Sequence, residues 1–252
     1  MIPAERHRAI LALLSTQEVV SIHQLTEQLD VSHMTIRRDI GKLEADGQVI
    51  SVSGGVQLTE SIHTELSHDI KTTHNQQEKI NIGKSAASLI KPNMTIYLDA
   101  GTTTLEIAHN LVDQDDIMVV TNDFVIAAFL MKNSKCKLYF TGGKVDRENQ
   151  SCVGNKAAYL IKEINMDIAF ISTSSWGPKG LSTPSEDKVY VKQSIVKSAK
   201  VNCLVSDSSK YGKRATFHAL DIGCFDSVIT DSSFPRSSIK DLAEQNVEVI
   251  IC

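Results

Sequence analysis

The sequence predicts an α/β protein in two parts: an N-terminal winged helix-turn-helix, then a mainly parallel-sheet α/β domain. Two patterns carry that reading. Within the first 58 residues, three short segments of helical spacing precede a small hairpin signal; from residue 95 onward, continuous apolar runs alternate with helical segments. The composition agrees: 42% hydrophobic and 22% charged residues in a 252-residue chain suit a globular protein with one small and one large core.

From Ala4 to Leu14, the residues Ile10, Leu11, Leu13 and Leu14 recur at helical spacing. Ser21 can cap a second helix, Ile22 to Leu29, with Ile22, Leu25 and Leu29 on one face. Ser32 caps a third, running to about Ala45, whose buried stripe is Ile36, Ile40 and Leu43 and whose terminator is Gly47. Val49 to Val52, a Ser53-Gly54-Gly55 turn and Val56 to Leu58 then form a hairpin. Glu60 to Thr73 is polar, with few large apolar residues, and reads as a linker. The expected division is a head at 1–58, a linker at 59–73 and a body at 74–252.

In the body, His74 to Ile90 is helical. Strand-like runs follow at Thr95–Leu98, Ile117–Val120, Leu138–Phe140, Ile168–Ile171, Val201–Val205, Val228–Ile229 and Val247–Ile251. Helical segments at Thr103–Leu111, Phe124–Met131, Lys156–Ile164, Lys188–Ala199 and Ser237–Gln245 separate most of them. Strands that are apolar throughout, alternating with helices, argue for a parallel sheet covered on both faces.

Several function classes fall away. No apolar run approaches the roughly 18 residues of a membrane span, and Met1 to Thr16 reads as an amphipathic helix without a signal-peptide cleavage site. A cytoplasmic protein with no membrane partner is expected. Cys136, Cys152, Cys203, Cys224 and Cys252 are scattered with no C-x-x-C pair, so neither a disulfide framework, a metal site nor a cofactor is expected. Cys152 beside Gly154 would suit a redox sensor, but no base or resolving cysteine neighbours it in sequence. The formal charge of −4 gives no support for nucleic-acid binding. Even Met1 to Leu58 sets Arg6, Arg8, Arg37, Arg38 and Lys42 against seven carboxylates, so a DNA reader here must gather its positive charge on one face.

The third helix offers such a face. With Ile36 and Ile40 inward, His33, Thr35 and Arg37 project outward near the N-terminal end, where a recognition helix meets base edges. Arg37 suits bidentate contact with guanine, and Thr35 a phosphate or a thymine methyl. Arg38 and Lys42 would follow the phosphates. The expected contacts with a double-stranded DNA operator are Ser32, His33, Thr35, Arg37, Arg38 and Lys42. The plain alternative for two adjacent arginines is a solvated face paired with Asp39 or Glu44.

In the body, a buried strand ends at Asp99, Gly101 permits a tight turn, and Thr102-Thr103-Thr104 lead into a helix. Free backbone N–H groups, hydroxyls and the positive end of the helix dipole suit an anion, with phosphate the natural occupant; a threonine-capped helix is the plain alternative. Thr121-Asn122-Asp123, Thr141-Gly142-Gly143 and Ser206 to Gly212, which includes Asp207 and Lys210, follow other strands. Ligands of parallel sheets bind beyond the carboxyl ends of the strands, so one pocket accounts for all four loops.

The run Val31 to Ile40, with Leu43-Glu44, Gly47 and Gly54-Gly55, resembles the head of the DeoR family of sugar-metabolism repressors, which share a Ser-x-x-Thr-Ile-Arg-Arg-Asp-Leu core and a wing ending in Gly-Gly. The resemblance continues through Asp99 to Thr103, Thr121-Asn122, Gly142-Gly143, Glu186 with Val191-Lys192, and Asp207 to Gly212, and so covers essentially the whole chain. It implies a sensor domain similar in fold to ribose-5-phosphate isomerase and glucosamine-6-phosphate deaminase, with a phosphorylated sugar or sugar-acid effector. It also implies a homo-oligomer, dimer or tetramer, that is a regulator and not an enzyme. By that resemblance Gly101 to Thr104 hold the phosphate, Asp99, Asn122, Lys192, Asp207 and Lys210 read the hydroxyl or carboxyl end, and Thr121, Gly142, Gly143 and Glu186 complete the site.

Two departures stand out. Where the family's wing usually carries an Arg and often a His, this chain has Ser51-Val52-Ser53, which predicts a shallower salt dependence of DNA binding. Where many members are glycine-rich, it has Ser172-Thr173-Ser174-Ser175-Trp176. That stretch is either a reshaped pocket wall suited to a sugar acid or a polar surface loop with Trp176 packed over it. The rival reading is a sugar-phosphate isomerase or deaminase using Glu186 as general base and Lys192 or Lys210 as electrophile.

Overall fold

A computed structural model of the chain describes residues 1–52 and 54–252; Ser53 of the expected turn lies outside them. The head consists of α1 (Pro3–Leu14), α2 (Ile22–Leu29), α3 (His33–Ala45) and the hairpin β1 (Val49–Val52) and β2 (Gly55–Leu58). Its boundaries follow from local chemistry. The Ser21 hydroxyl accepts from the Gln24 N–H while the Gln24 side chain accepts from the Ser21 N–H, a reciprocal capping box. The Ser32 hydroxyl accepts from the Thr35 N–H at 3.2 Å. Ile10, Leu14, Leu25, Ile36, Ile40 and Leu43 then close a core with Val20, Val49 and Val56.

Asp39, on the buried face of α3, accepts from the Arg6 guanidinium at 2.7 and 3.1 Å, and His7 Nε2 lies 3.0 Å from it. Burial opposes its ionisation, but the hydrogen bonds from Arg6 and His7 outweigh that and hold its carboxyl below the ordinary range. The acid next to the arginine pair thus fastens α3 to α1. Glu44 accepts the Ser51 N–H at 2.6 Å. Among the described residues Arg37 and Arg38 form no ion pair, so the self-paired reading of that face fails.

Next come β3 (Glu60–Ile62), α4 (His68–Thr73), α5 (Gln76–Ala87), β4 (Thr95–Leu98), α6 (Thr102–His109), β5 (Met118–Thr121), α7 (Phe124–Asn133) and β6 (Lys137–Phe140). They are followed by β7 (Lys144–Asp146), β8 (Ser151–Val153), α8 (Gly154–Lys162), β9 (Met166–Ile171), β10 (Ser175–Gly177), β11 (Gly180–Thr183) and α9 (Glu186–Ser198). The chain ends with β12 (Ala199–Val205), β13 (Lys213–Ala215), β14 (Phe217–Asp221), β15 (Ser227–Thr230), α10 (Arg236–Ala243) and β16 (Glu248–Ile251).

One seven-stranded sheet, ordered β16-β15-β12-β9-β4-β5-β6, takes in all seven predicted strand runs. Every neighbouring pair in it is parallel. Alternate residues feed two cores. Ile96 and Leu98 meet Ile82, Ile107 and Ile126 from α5, α6 and α7; Tyr97 points the other way, to the core that holds Ile161, Ile195 and Leu242 from α8, α9 and α10.

The expected linker is structured. Its β3 pairs in parallel with β13, Glu60 opposite Lys213, and Ser67 caps α4. The hydroxyl-rich stretch is not a surface loop either. Ser175 and Trp176 enter the antiparallel sheet β10-β11-β14. Trp176 is fully buried, donates its indole N–H to the Ser206 hydroxyl at 3.1 Å, stacks on Phe234 and meets Tyr211 edge-on.

Strand β1 is covered on both sides. Val49 packs into the head, while Ile50 joins the body's core and Val52 packs against it. Gly212, at φ +84°, seats Ile50: a Cβ there would stand 2.9 Å from Ile50 Cγ2. The loop from Asp207 to Gly212 therefore touches the head at one end.

Candidate functional site

At the carboxyl ends of β4, β5, β9 and β12, one cavity gathers Asp99, Gly101, Thr102, Thr103, Asn122, Lys192, Asp207 and Lys210. Gly101 has no room for a side chain, since a Cβ would lie 2.6 Å from the Ser172 hydroxyl. It begins α6, an eight-residue helix that no side chain caps, so the amides of its first turn face the cavity with the helix dipole behind them. Thr102 and Thr103 stand at that mouth, mostly buried. Thr104 turns inward, donating to the carbonyls of Asp99 (2.6 Å) and Gly101 (2.8 Å), and fixes the loop instead of lining the cavity.

Several of the expected ligand readers are held by the protein itself. Asp99 accepts from Lys192 Nζ at 2.6 Å, the Ala100 N–H at 2.9 Å and the Ser172 N–H at 3.2 Å. Lys192 also donates to the Ser172 carbonyl at 2.7 Å. Asn122 accepts from the Tyr97 hydroxyl and donates to the Cys152 carbonyl. Asp207 accepts from the side chains of Asn75 and Ser209. Lys210 is half-buried without an ion-pair partner among the described residues.

Besides Thr104, four of the expected residues lie elsewhere. Thr121 donates to the Leu98 carbonyl inside the sheet. Gly142 and Gly143 do not line the cavity. Glu186 is exposed. On α9 the inward stripe is Lys188, Val191, Lys192 and Ile195, at i, i+3, i+4 and i+7, while Glu186 falls on the outer face with Tyr190. The general base of the enzyme reading is therefore not in the cavity.

The structure adds residues that no motif flagged. Glu65, Lys71, Lys79, Asn149, Ser151 and Lys188 all line the cavity. Lys79 Nζ donates to the carbonyls of Lys71 and Thr72 and to the Thr102 hydroxyl at 3.3 Å, and burial pushes its pKa down. Lys71, also lowered by burial, donates to Asn149 and Glu65. Asp123 caps α7 and accepts the Gly101 N–H at 3.1 Å; its burial pushes its carboxyl up to about 6. Burial also opposes the ionisation of Glu65, but Lys188 and Lys71 outweigh it and hold that carboxyl down at about 2.

The last shift has a sign that can be tested. A carboxylate lowered in the folded state is protonated first in the unfolded chain. From 4.5 to about 2, Glu65 contributes roughly 3 kcal/mol at about 1.36 kcal/mol per pH unit. That contribution is fully present above pH 4.5 and lost as pH falls towards 2. In urea titrations over this range, Glu65→Gln should give a flatter acid limb than the unaltered protein.

A winged helix-turn-helix head joined to a parallel-sheet body with a lysine-lined cavity is the architecture of a DNA-binding regulator with a sensor domain. The comparisons agree. Residues 74–232 match the model of the DeoR C-terminal sensor domain, and residues 6–62 that of the DeoR-like helix-turn-helix domain. The chain belongs to the DeoR family, DNA-binding transcriptional regulators of sugar metabolism.

It is 52% identical to an uncharacterised HTH-type transcriptional regulator of Haemophilus influenzae, over 100% of this chain and 98% of that one. It is 28% identical to the glycerol-3-phosphate regulon repressor of Escherichia coli, over 98% of each. Among solved structures it matches ribose 5-phosphate isomerase A of Methanocaldococcus jannaschii at a TM-score of 0.40 and 18% identity, over 54% of this chain and 55% of that one. Among the described residues no helix is long and apolar enough to cross a membrane.

Proposed function

We propose that the chain represses an operon for the catabolism of a carbohydrate or sugar acid, gripping its operator through α3 and releasing it when a phosphorylated metabolite fills the cavity. One observation carries this reading: the uncapped amides of α6, with Thr102 and Thr103, open onto a cavity walled by Lys71, Lys79, Lys188, Lys192 and Lys210. Gly101 to Thr103 hold the phosphate, with Lys79 and Lys210 nearest in charge; Asp99 and Lys192 brace the loop. On the DNA side His33, Arg37, Arg38 and Lys42 are exposed on α3, while Ser32 and Thr35 share their hydroxyls at its cap.

The name of the Escherichia coli relative supports repression and a phosphorylated ligand. Against turnover, each carboxylate in the cavity is already held by at least two donors. Incubation with aldose phosphates should return them unchanged.

The working unit is a homo-oligomer. The outer edge strand β6 exposes Tyr139, and Phe124 and Met131 of α7 and Val145 of β7 are exposed on adjoining elements, an apolar edge that a second copy would cover. Emptying an operator that is nearly full needs a differential affinity of about 5.5 kcal/mol, within reach of several coupled sites.

The test is thermal unfolding against a panel of sugar phosphates, phosphorylated sugar acids and their unphosphorylated parents. At about 100 times its dissociation constant a true ligand adds roughly 2.7 kcal/mol, a rise of several degrees at this size. Changing Thr102 and Thr103 to Ala should abolish the rise. No rise with any phosphate would sink this account of the body and leave the head standing.

A further inference from the structure

The segment between head and body supplies one carboxylate to the cavity, and its surroundings are built to hold an anion. Glu65 lies between β3 and α4, its side chain 11% exposed. Lys188 Nζ donates to it at 2.7 Å, Lys71 Nζ at 3.4 Å and the Ser174 hydroxyl at 3.0 Å. Lys71 also donates to Asn149, and Lys188 lies 3.7 Å from Asp146. Glu65, Lys71, Ser174 and Lys188 share the cavity with Thr102 and Thr103.

We propose that Lys71, Lys188 and Ser174 form a second anion subsite, in which Glu65 occupies the place of a carboxylate of the effector. The effector then carries a phosphate for the α6 end and a carboxylate for this one: it is a phosphorylated sugar acid, and it binds by displacing Glu65. The inference rests on the phosphate reading under Proposed function.

Charge matching favours the exchange. One carboxylate leaves two partly buried ammonium groups as another arrives, so neither lysine is stranded. A neutral hydroxyl in the same place would leave them under-paired. Space points the same way. The cavity has about 60 Å³ free, room for about four to six waters at roughly 10–15 Å³ each, and withdrawal of the Glu65 side chain enlarges it. The Ser151 hydroxyl, fully buried and without a hydrogen-bond partner among the described residues, lines the same space and suits a sugar hydroxyl.

The position of Glu65 along the chain gives the exchange a consequence. Three residues before it, β3 ends its pairing with β13. The Glu60 N–H donates to the carbonyl of Gly212, the residue against which Ile50 of the wing is seated. Displacing Glu65 frees one end of the strap that holds the head in place.

The test compares phosphorylated aldonates of three to six carbons with alditol phosphates of equal length, which differ by one carboxylate, in calorimetric titrations of the full chain. The unaltered protein should prefer the acid. Glu65→Gln should widen that preference by about tenfold, because the acid no longer competes with a resident charge, and Lys188→Gln should reduce it to near unity.

If Glu65→Gln does not fold, Lys188→Gln and Ser174→Ala carry the same comparison. No preference for the acid in the unaltered protein, or one unmoved by the variants, overturns the subsite. If alditol phosphates bind through Thr102 and Thr103 while acids gain nothing, this inference alone fails. If no phosphate of either kind binds, the phosphate reading fails as well.

Discussion

An Arg37→Ala variant is expected to lose operator binding at physiological salt while its response to effector is unchanged. Arg37 is exposed on the outer face of α3, one turn from the helix start, and among the described residues no acid pairs with it. The fork of a guanidinium facing a guanine edge is worth about 1–3 kcal/mol. Two heads on a two-fold operator would double that to about 2–6 kcal/mol, about thirtyfold to about 20,000-fold in affinity.

The cavity lies in the other domain, so thermal stabilisation by ligand should be retained. Arg38→Ala gives the contrast. Taking a phosphate-binding cation away from that position weakens specific and non-specific DNA binding alike and lowers the salt slope by about one per head. If Arg37→Ala kept full affinity in gel shifts at 150 mM salt, roughly physiological ionic strength, α3 would not be the recognition helix.

The wing sharpens this expectation. Its β1 was legible as a strand, but its sequence did not reveal that both faces are covered. Ile50 and Val52 turn to the body, which accounts for the apolar Val52 in the Ser51-Val52-Ser53 stretch. With that strand docked, α3 carries most of the positive charge that the head offers to DNA.

The central sheet was readable because strands buried on both faces leave continuous apolar runs, such as Ile168–Ile171 within β9. The structure that the sequence hid is made of short pieces with few apolar residues. Glu60–Ile62 pairs with β13 through its backbone and one ion pair, Glu60 with Lys213 at 2.9 Å, and its polar residues look like linker. Ser175 gives no strand signal, and only Trp176 marked that stretch as more than surface.

Lys71, Lys79 and Lys188 of the cavity were hidden for another reason. The loop motifs pointed to strand ends, whereas Lys79 and Lys188 come from helices. A signal for them existed. Lys79, Ile82, Gly83, Ala86 and Ala87 are the buried stripe of α5 at i, i+3, i+4, i+7 and i+8, so the lysine stands where an apolar residue belongs. Lys188 and Lys192 stand on the apolar stripe of α9 in the same way. A lysine on a buried stripe must be paired or face a ligand, because burying an unpaired charge costs too much.

Lys192 is the strongest instance, and Lys192→Met should be the most destabilising single change in the body. Its ammonium lies 2.6 Å from Asp99 Oδ2 and 2.7 Å from the Ser172 carbonyl, with the two side chains of the pair 9% and 4% exposed. Methionine fills the volume but leaves the Asp99 carboxylate buried with backbone N–H donors alone. Breaking a buried pair from one side costs about 3–5 kcal/mol, which for a domain of this size lowers the melting temperature by roughly 6–20 °C.

The double variant Asp99→Asn/Lys192→Met removes both charges and should recover most of that loss. Recovery would show that the pair braces the turn beneath the phosphate loop, since Asp99 also receives the Ala100 N–H and offers its carbonyl to Thr104. The opposite pattern is informative too. If Lys192→Met left the ligand-free protein as stable as before and abolished only the shift with phosphorylated ligands, the ammonium would exchange Asp99 for the ligand on binding, and the loop would owe its shape to Thr104 and Asp123 alone.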